Sequence, residues 1–251
     1  MQLSKPDFWK NKNSLVAILL LPISLIIQVL YFIKKILISK KSFSVPIICI
    51  GNIYVGGAGK TPLAIKISNV LKKRNNNPII IKKFYHDQID ESRLIKEKTG
   101  NIIQNKSRVK AIKSAIEKNF NLMILDDGFQ DESIEKNLNI LCFNSEQLIG
   151  NGFTLPSGPL RESFSAIKKS QIIVINGNRD EKFEEKIYDT CQDVKIFYSK
   201  YLPLNIKKLE NLDLLAFAGI GNPENFFKLL TDYKLRLRKS VSYPDHYQYK
   251  K

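Results

Sequence analysis

The stretch Cys49-Ile50-Gly51-Asn52-Ile53-Tyr54-Val55-Gly56-Gly57-Ala58-Gly59-Lys60-Thr61-Pro62 constrains the fold more than any other part of the chain. An apolar, β-prone run over 45–50 leads into it, and an apolar helical pattern over 63–71 leaves it. A strand, a glycine-rich turn and a helix opening on Gly-Lys-Thr form a phosphate cradle. Glycines let backbone N–H groups turn toward an anion, the helix N-terminus adds partial positive charge, and the lysine adds a full one. A threonine at that point offers its hydroxyl to Mg²⁺. The candidate nucleotide-binding residues are therefore Tyr54, Val55, Gly56, Gly57, Ala58, Gly59, Lys60 and Thr61. Tyr54 stands where the usual pattern has its first glycine, and the competing reading is a tight glycine turn with no ligand.

Short apolar runs recur along the rest of the chain. Strands are expected at 78–81, 122–125, 138–143, 172–175, 194–198 and 212–218, and helices at 87–98, 109–118 and 224–231. Strands alternating with helices imply an α/β fold, a mostly parallel sheet covered on both faces. Such sheets bind ligands at the carboxyl ends of their strands. We divide the chain into an N-terminal anchoring segment (1–41), a nucleotide-binding core (42–211) and a smaller C-terminal lobe (212–251).

Residues 14–33 carry no charge. Twenty residues of helix span about 30 Å, the thickness of a bilayer's hydrocarbon core. Trp9 and Tyr31 stand near the two ends, where interfacial aromatics are favoured, while Pro22, Ser24 and Gln28 interrupt the apolar run. A spanning helix, a helix lying in the interface and a buried core helix all remain open, and the first two tether the protein to a membrane. The 40 basic residues outnumber the 24 acidic ones, giving +16, a balance suited to anionic lipid, phosphorylated substrates or nucleic acid. A lysine-rich composition from an AT-rich genome would give the same excess. Cys49, Cys142 and Cys191 have no metal-ligand spacing and imply a reducing compartment.

Three further motifs carry chemistry. The apolar strand at 122–125 ends in Asp126-Asp127-Gly128, where a phosphate-loop protein places its Mg²⁺ carboxylate, although Asp-Gly is also a good turn pair. Asp90-Glu91 opens a helix, as a cap or as a general base near the phosphates. Asp245-His246 pairs a carboxylate with an imidazole, and the rigid loop 156–162 presents Arg161.

Taken in order, these motifs resemble the tetraacyldisaccharide 4′-kinase family of lipid A biosynthesis in Gram-negative bacteria. The resemblance rests on Val-Pro-Ile-Ile-Cys-Ile-Gly-Asn-Ile (45–53) before Gly-Gly-x-Gly-Lys-Thr-Pro, and on Leu-Asp-Asp-Gly-Phe-Gln (125–130). It extends through Gly-Asn-Gly (150–152), Leu-Pro-Ser-Gly-Pro-Leu-Arg-Glu (155–162), Ala-Gly-Ile-Gly-Asn-Pro-Glu (218–224) and Pro-Asp-His (244–246). It implies transfer of the γ-phosphate of ATP, with Mg²⁺, to the 4′-hydroxyl of a tetraacyl disaccharide 1-phosphate at the cytoplasmic face of the inner membrane. Carried over by position, Lys60 binds the phosphates, Thr61 and the Asp126–Asp127 pair serve the metal, and Asp90 is the base with His246 in support. Gln130 and Arg161 face the lipid. The partners expected are the lipid substrate and the membrane surface, with no nucleic acid, for a monomeric protein.

The chain departs from the family pattern in three places. Lys82-Lys83-Phe84-Tyr85-His86 replaces Ser-Arg-Gly-Tyr-Gly, Asp131 replaces a histidine, and family members usually run some tens of residues past the position of Lys251, so either this is a minimal version with a thinner second lobe or the end is missing. These departures motivate an alternative: a degenerate membrane-tethered protein that binds nucleotide or lipid without phosphoryl transfer.

Overall fold

In the computed structural model, which describes residues 5–85, 88–221, 223–244, 247 and 249, the apolar runs become strands that alternate with helices. The N-terminal run forms α1 (Leu15–Leu37), followed by β1 (Ile47–Gly51), α2 (Lys60–Lys72), β2 (Pro78–Lys83), α3 (Ile89–Thr99) and β3 (Ile102–Asn105). Then come α4 (Arg108–Glu117), β4 (Leu122–Asp126), β5 (Leu138–Asn144), β6 (Ile172–Asn176), α5 (Glu181–Thr190) and β7 (Lys195–Ser199). These strands make one seven-stranded sheet in the order β3-β2-β4-β1-β5-β6-β7. The described pairings from β3 through β6 are all parallel.

The central strands read as continuous apolar runs because both faces are covered. Side chains alternate in period two. Ile47, Cys49, Ile79, Ile81, Met123 and Leu125 point to one face, where Ala111, Ile112 and Ala115 of α4 and Phe183 and Ile187 of α5 close over them. Ile50, Ile80, Ile124 and Cys142 point to the other, beneath Ala64 of α2 and Ile95 of α3. Each such branched side chain, fully buried, contributes about 1.5–3 kcal/mol of transfer free energy. Cys49 and Cys142 are free thiols inside this core, and burial pushes them up to about 11 and about 12.

The helix α1 has its polarity inverted. Leu19, Leu25, Ile26, Leu30 and Phe32 stand exposed on its outer side, whereas Ala17 and Ser24 are buried against the core. Ser24 Oγ donates to Thr154 O at 3.0 Å and accepts from Ser157 N at 3.1 Å, and Ser157 Oγ donates to Ala17 O. Gln28 Nε2 donates to Thr154 Oγ1 at 2.8 Å, Tyr31 OH to Gln130 O at 3.3 Å, and Lys35 Nζ lies 3.4 Å from Glu132 Oε1. Residues 17, 24, 28, 31 and 35 recur at helical spacing, so one polar stripe docks α1 along its length. Pro22 is tolerated within the helix on the exposed side.

Lys5–Tyr198 forms one compact unit, and the described residues from Ser199 onward form another. The second contains β8 (Asp213–Ala218), α6 (Pro223–Asp232) and β9 (Arg236–Ser242). Its two strands are parallel, and Ala216, Ala218, Phe227, Leu230 and Leu235 make its small core.

Candidate active site

The carboxyl ends of β1, β2 and β4 bring the site together. Between β1 and α2 the chain turns through Gly56, at φ 120°, and Gly59, at φ 80°, conformations that favour glycine. The loop is pinned from outside: Val55 N donates to Pro159 O at 2.9 Å, and Arg161 N donates to Ile53 O at 2.7 Å. Asn52 Nδ2 donates inward to Gly56 O at 3.2 Å. Tyr54 is buried in the core, so its side chain helps hold the loop. The segment that presents Arg161 thus also braces the phosphate loop.

The two adjacent aspartates point to different partners. Asp126 ends β4, is fully buried, and accepts from Thr61 Oγ1 at 3.0 Å through Oδ2. Asp127 adopts φ 55°, which turns its carboxylate away from its neighbour's. Arg161 Nη1 reaches both Asp127 oxygens, at 3.0 and 3.1 Å, and Lys60 Nζ lies 3.7 Å from Oδ1. Burial alone would raise the Asp127 carboxyl, but Lys60 and Arg161 outweigh it and hold it below the usual carboxylate range. Gln130 accepts from Arg161 Nη1 at 3.5 Å and donates through Nε2 to Asn52 O at 3.0 Å and to Glu162 Oε1 at 3.1 Å.

Asp90 and Glu91 both lie in the first turn of α3. Asp90 is exposed, while Glu91 Oε2 lies 3.5 Å from Thr61 Oγ1 and accepts from Lys82 Nζ. Lys82 also lies 3.2 Å from Asp126 Oδ2. Burial pulls the Lys82 ammonium down, but the two carboxylates outweigh it and hold it charged. His246, expected to support Asp90, and His86 lie outside the described residues.

The side chains fit a divalent cation of the kind that phosphoryl transfer uses. Mg²⁺ is held there by one or two carboxylates together with substrate phosphates, not by an all-protein cage. Among the described residues no cluster of three or more His, Cys, Asp or Glu side chains forms a metal-binding group. Asp126 Oδ1 is buried and has no hydrogen-bond partner, beside the Thr61 hydroxyl. An orphaned carboxylate oxygen next to a threonine hydroxyl suits that cation.

Three residues that sequence reasoning left without a role belong to this surround. Arg108 opens α4 and is buried. It donates through Nη2 to Asp127 O at 2.6 Å, and its Nη1 lies 3.3 Å from Asp131 Oδ2. A cation is unfavourable at a helix N-terminus, and Asp131 offsets it. Burial would raise Asp131, but bonds from Ser133 and the Arg108 guanidinium hold it low. The negative charge at 131 is thus answered inside the protein. Nothing in the local sequence marks Arg108, because its partners come from the far side of β4. Glu162 and Lys169 are the other two: Lys169 Nζ lies 2.6 Å from Glu162 Oε2 and 2.9 Å from Glu132 Oε1.

Comparison with known proteins shows the family and the fold. The family model described as tetraacyldisaccharide-1-P 4′-kinase matches residues 16–251. A tetraacyldisaccharide 4′-kinase from Pelagibacter ubique (strain HTCC1062) is 43% identical over 258 residues, covering 100% of this chain and 81% of that protein. One from Rickettsia canadensis (strain McKiel) is 32% identical over 266 residues, covering 99% and 80%. The crystal structure of LpxK from Aquifex aeolicus, solved in complex with ATP, superposes with a TM-score of 0.70 at 24% identity, over 93% of this chain and 83% of that one, and shares its fold. From its phosphate loop to its C-terminal motifs, this chain belongs to the tetraacyldisaccharide-1-P 4′-kinase family.

Proposed function

We propose that the chain carries out the family's reaction, phosphorylation of the 4′-hydroxyl of a tetraacyl disaccharide 1-phosphate, with ATP as donor and the residues around Asp126 and Asp127 as its machinery. The observation that carries this reading is the division of labour between the two aspartates, one on Thr61 and one on Lys60 and Arg161. The loop over 54–59 receives the phosphates through backbone N–H groups at the head of α2. Lys60 adds a full positive charge, and Asp127 keeps Lys60 and Arg161 aimed at one place until phosphate oxygens take them over. Thr61 and Asp126, with Glu91 alongside, would hold Mg²⁺, which when bound neutralises charge on the phosphate oxygens. Asp90 accepts the proton of the attacking hydroxyl. Preorganised charge and positioning then supply most of the rate, since phosphoryl transfer asks little covalent chemistry of the protein.

The lipid substrate has a seat of matching character. A groove of about 590 Å³ opens between α1 and the 154–169 segment, lined by Phe32, Tyr31 and Leu25 on one side and by Arg161, Glu162 and Lys169 on the other. Acyl chains suit the first wall and a phosphorylated sugar the second. The inverted polarity of α1 favours a helix lying in the cytoplasmic interface of the inner membrane. A spanning helix would draw Glu132, Gln130 and Thr154, whose contacts hold its inner side, toward hydrocarbon.

Transfer of label from γ-labelled ATP to tetraacyl disaccharide 1-phosphate in mixed micelles tests the function. Wild type should label the lipid, and Lys60→Ala should lose about 10²-fold or more of the rate. ATP binding without labelled lipid would favour the degenerate reading instead.

A further inference from the structure

The pairing of β2 with β4 sets Lys82 directly opposite Asp126, the one residue of β4 that carries charge. Lys82 is 4% exposed and Asp126 is 0% exposed. The ammonium lies 3.2 Å from Asp126 Oδ2, bonds Glu91 Oε2, and stands beside the Thr61 hydroxyl that shares both carboxylates. It therefore neutralises the carboxylate a divalent cation would bind, sitting on Asp126 Oδ2 beside the unpartnered Oδ1.

We propose that Lys82 is a resident cation of the metal site, holding Asp126 and Glu91 together until a divalent cation displaces it from their oxygens. This rests on the kinase reading of the same site. Buried Asp126 and half-buried Glu91 repel one another, and a positive charge between them removes that repulsion. An ammonium and a divalent cation on one carboxylate repel each other. Free metal is consequently disfavoured while the phosphate loop is empty. A metal–nucleotide complex brings the extra negative charge that lets metal and ammonium coexist, with Lys82 turning to the phosphates. The lysine in effect makes the site accept metal and nucleotide together.

The test uses the full chain with Lys82→Met, which keeps the length of the side chain and removes its charge. Thermal unfolding is followed with and without Mg²⁺, and Mn²⁺ binding is read by electron paramagnetic resonance without nucleotide. Without metal, the Lys82→Met midpoint should fall by roughly 5–10 °C, because a buried pair has lost one partner. Millimolar Mg²⁺ should restore most of that fall while leaving wild type unmoved. Mn²⁺ should bind Lys82→Met at least about tenfold more tightly than wild type. Equal Mn²⁺ affinity, or a midpoint that ignores Mg²⁺, would overturn the proposal. Should Lys82→Met not fold, Lys82→Met/Glu91→Gln replaces it. That protein keeps one uncompensated carboxylate at Asp126, so its midpoint should still rise with Mg²⁺, and a flat response would count against the proposal. A fluorescent ATP analogue titrated in parallel keeps the two readings apart. Failure of every protein to bind it would overturn the kinase reading, while the response to Mg²⁺ would still decide the role of Lys82.

Discussion

Asp131 shows how one side chain can change its meaning between sequence and structure. Standing where the family resemblance has a histidine, it adds negative charge beside a site for anionic substrates. Its carboxylate instead lies against Arg108 and Ser133, and its charge holds the guanidinium that carries the Asp127 carbonyl. The carboxyl is held lower in the folded chain than in the unfolded one, so on acidification the unfolded chain binds the proton first. Its contribution is complete above the ordinary carboxylate range of about 4 and is lost as pH falls through the depressed folded value. Asp131→Asn should therefore be less stable than wild type by about 1–2 kcal/mol at pH near 6, and the gap should narrow as pH falls below the ordinary carboxylate range. Urea unfolding across that range reads it, and a gap independent of pH would show that the charge is not its source. The same local view explains what sequence reveals at this scale. Lys60, Thr61 and Asp126 are legible because their chemistry sits in a contiguous motif. Arg108 and Lys82 are not, because what gives them a role is strand register and a helix start that only the folded sheet brings beside β4.

Among the elements, the legible ones are those that bury apolar surface on both faces. Strands β1, β2, β4, β5 and β6 appear as apolar runs, and their observed ends differ from the expected ones by a residue or two. The elements that escape are polar or short: β3 has four half-buried residues, β9 reads Arg-Leu-Arg-Lys-Ser-Val-Ser, and α5 is dominated by charge, with only Phe183 and Ile187 buried. Composition hides a helix or strand that contributes few side chains to a core. Helix α1 is found readily, but its orientation is not, since hydropathy sees the apolar outer side and overlooks the thin polar stripe. The two sides should respond differently to mutation. Leu30→Asp, on the exposed side, should shift the thermal midpoint by no more than about 2 °C and weaken binding to lipid vesicles about tenfold or more. Gln28→Ala should cost about 1 kcal/mol by losing its bond to Thr154, and leave vesicle binding close to wild type. Co-sedimentation with vesicles beside thermal unfolding separates the two, and a helix whose outer side mattered only for stability would reverse the pattern.

For the whole molecule, the proposed membrane contact predicts that the excess of 40 basic over 24 acidic residues acts together with the apolar side of α1. Basic residues near an anionic surface contribute about 1 kcal/mol each and are screened by salt, whereas apolar insertion is not. Binding to vesicles containing anionic lipid should weaken about tenfold or more between about 0.1 and 0.5 M NaCl, and binding to purely zwitterionic vesicles should change little. Equal salt dependence on both would assign the charge to something other than the membrane. At this scale the sequence conveys class and surface character well, because parallel α/β packing and net charge are properties of the whole chain.

The docked underside of α1 bears on how such a protein can be handled. A greasy N-terminal helix invites removal when a protein resists purification. Here the same helix is a roof: Ala17, Ser24, Gln28 and Tyr31 occupy the polar groups of Ser157, Thr154 and Gln130, in the segments that brace the phosphate loop and hold Arg161. Cutting it away would trade insolubility for an unlatched active site. Detergent is the gentler remedy, because it covers the side of the helix that the protein leaves bare.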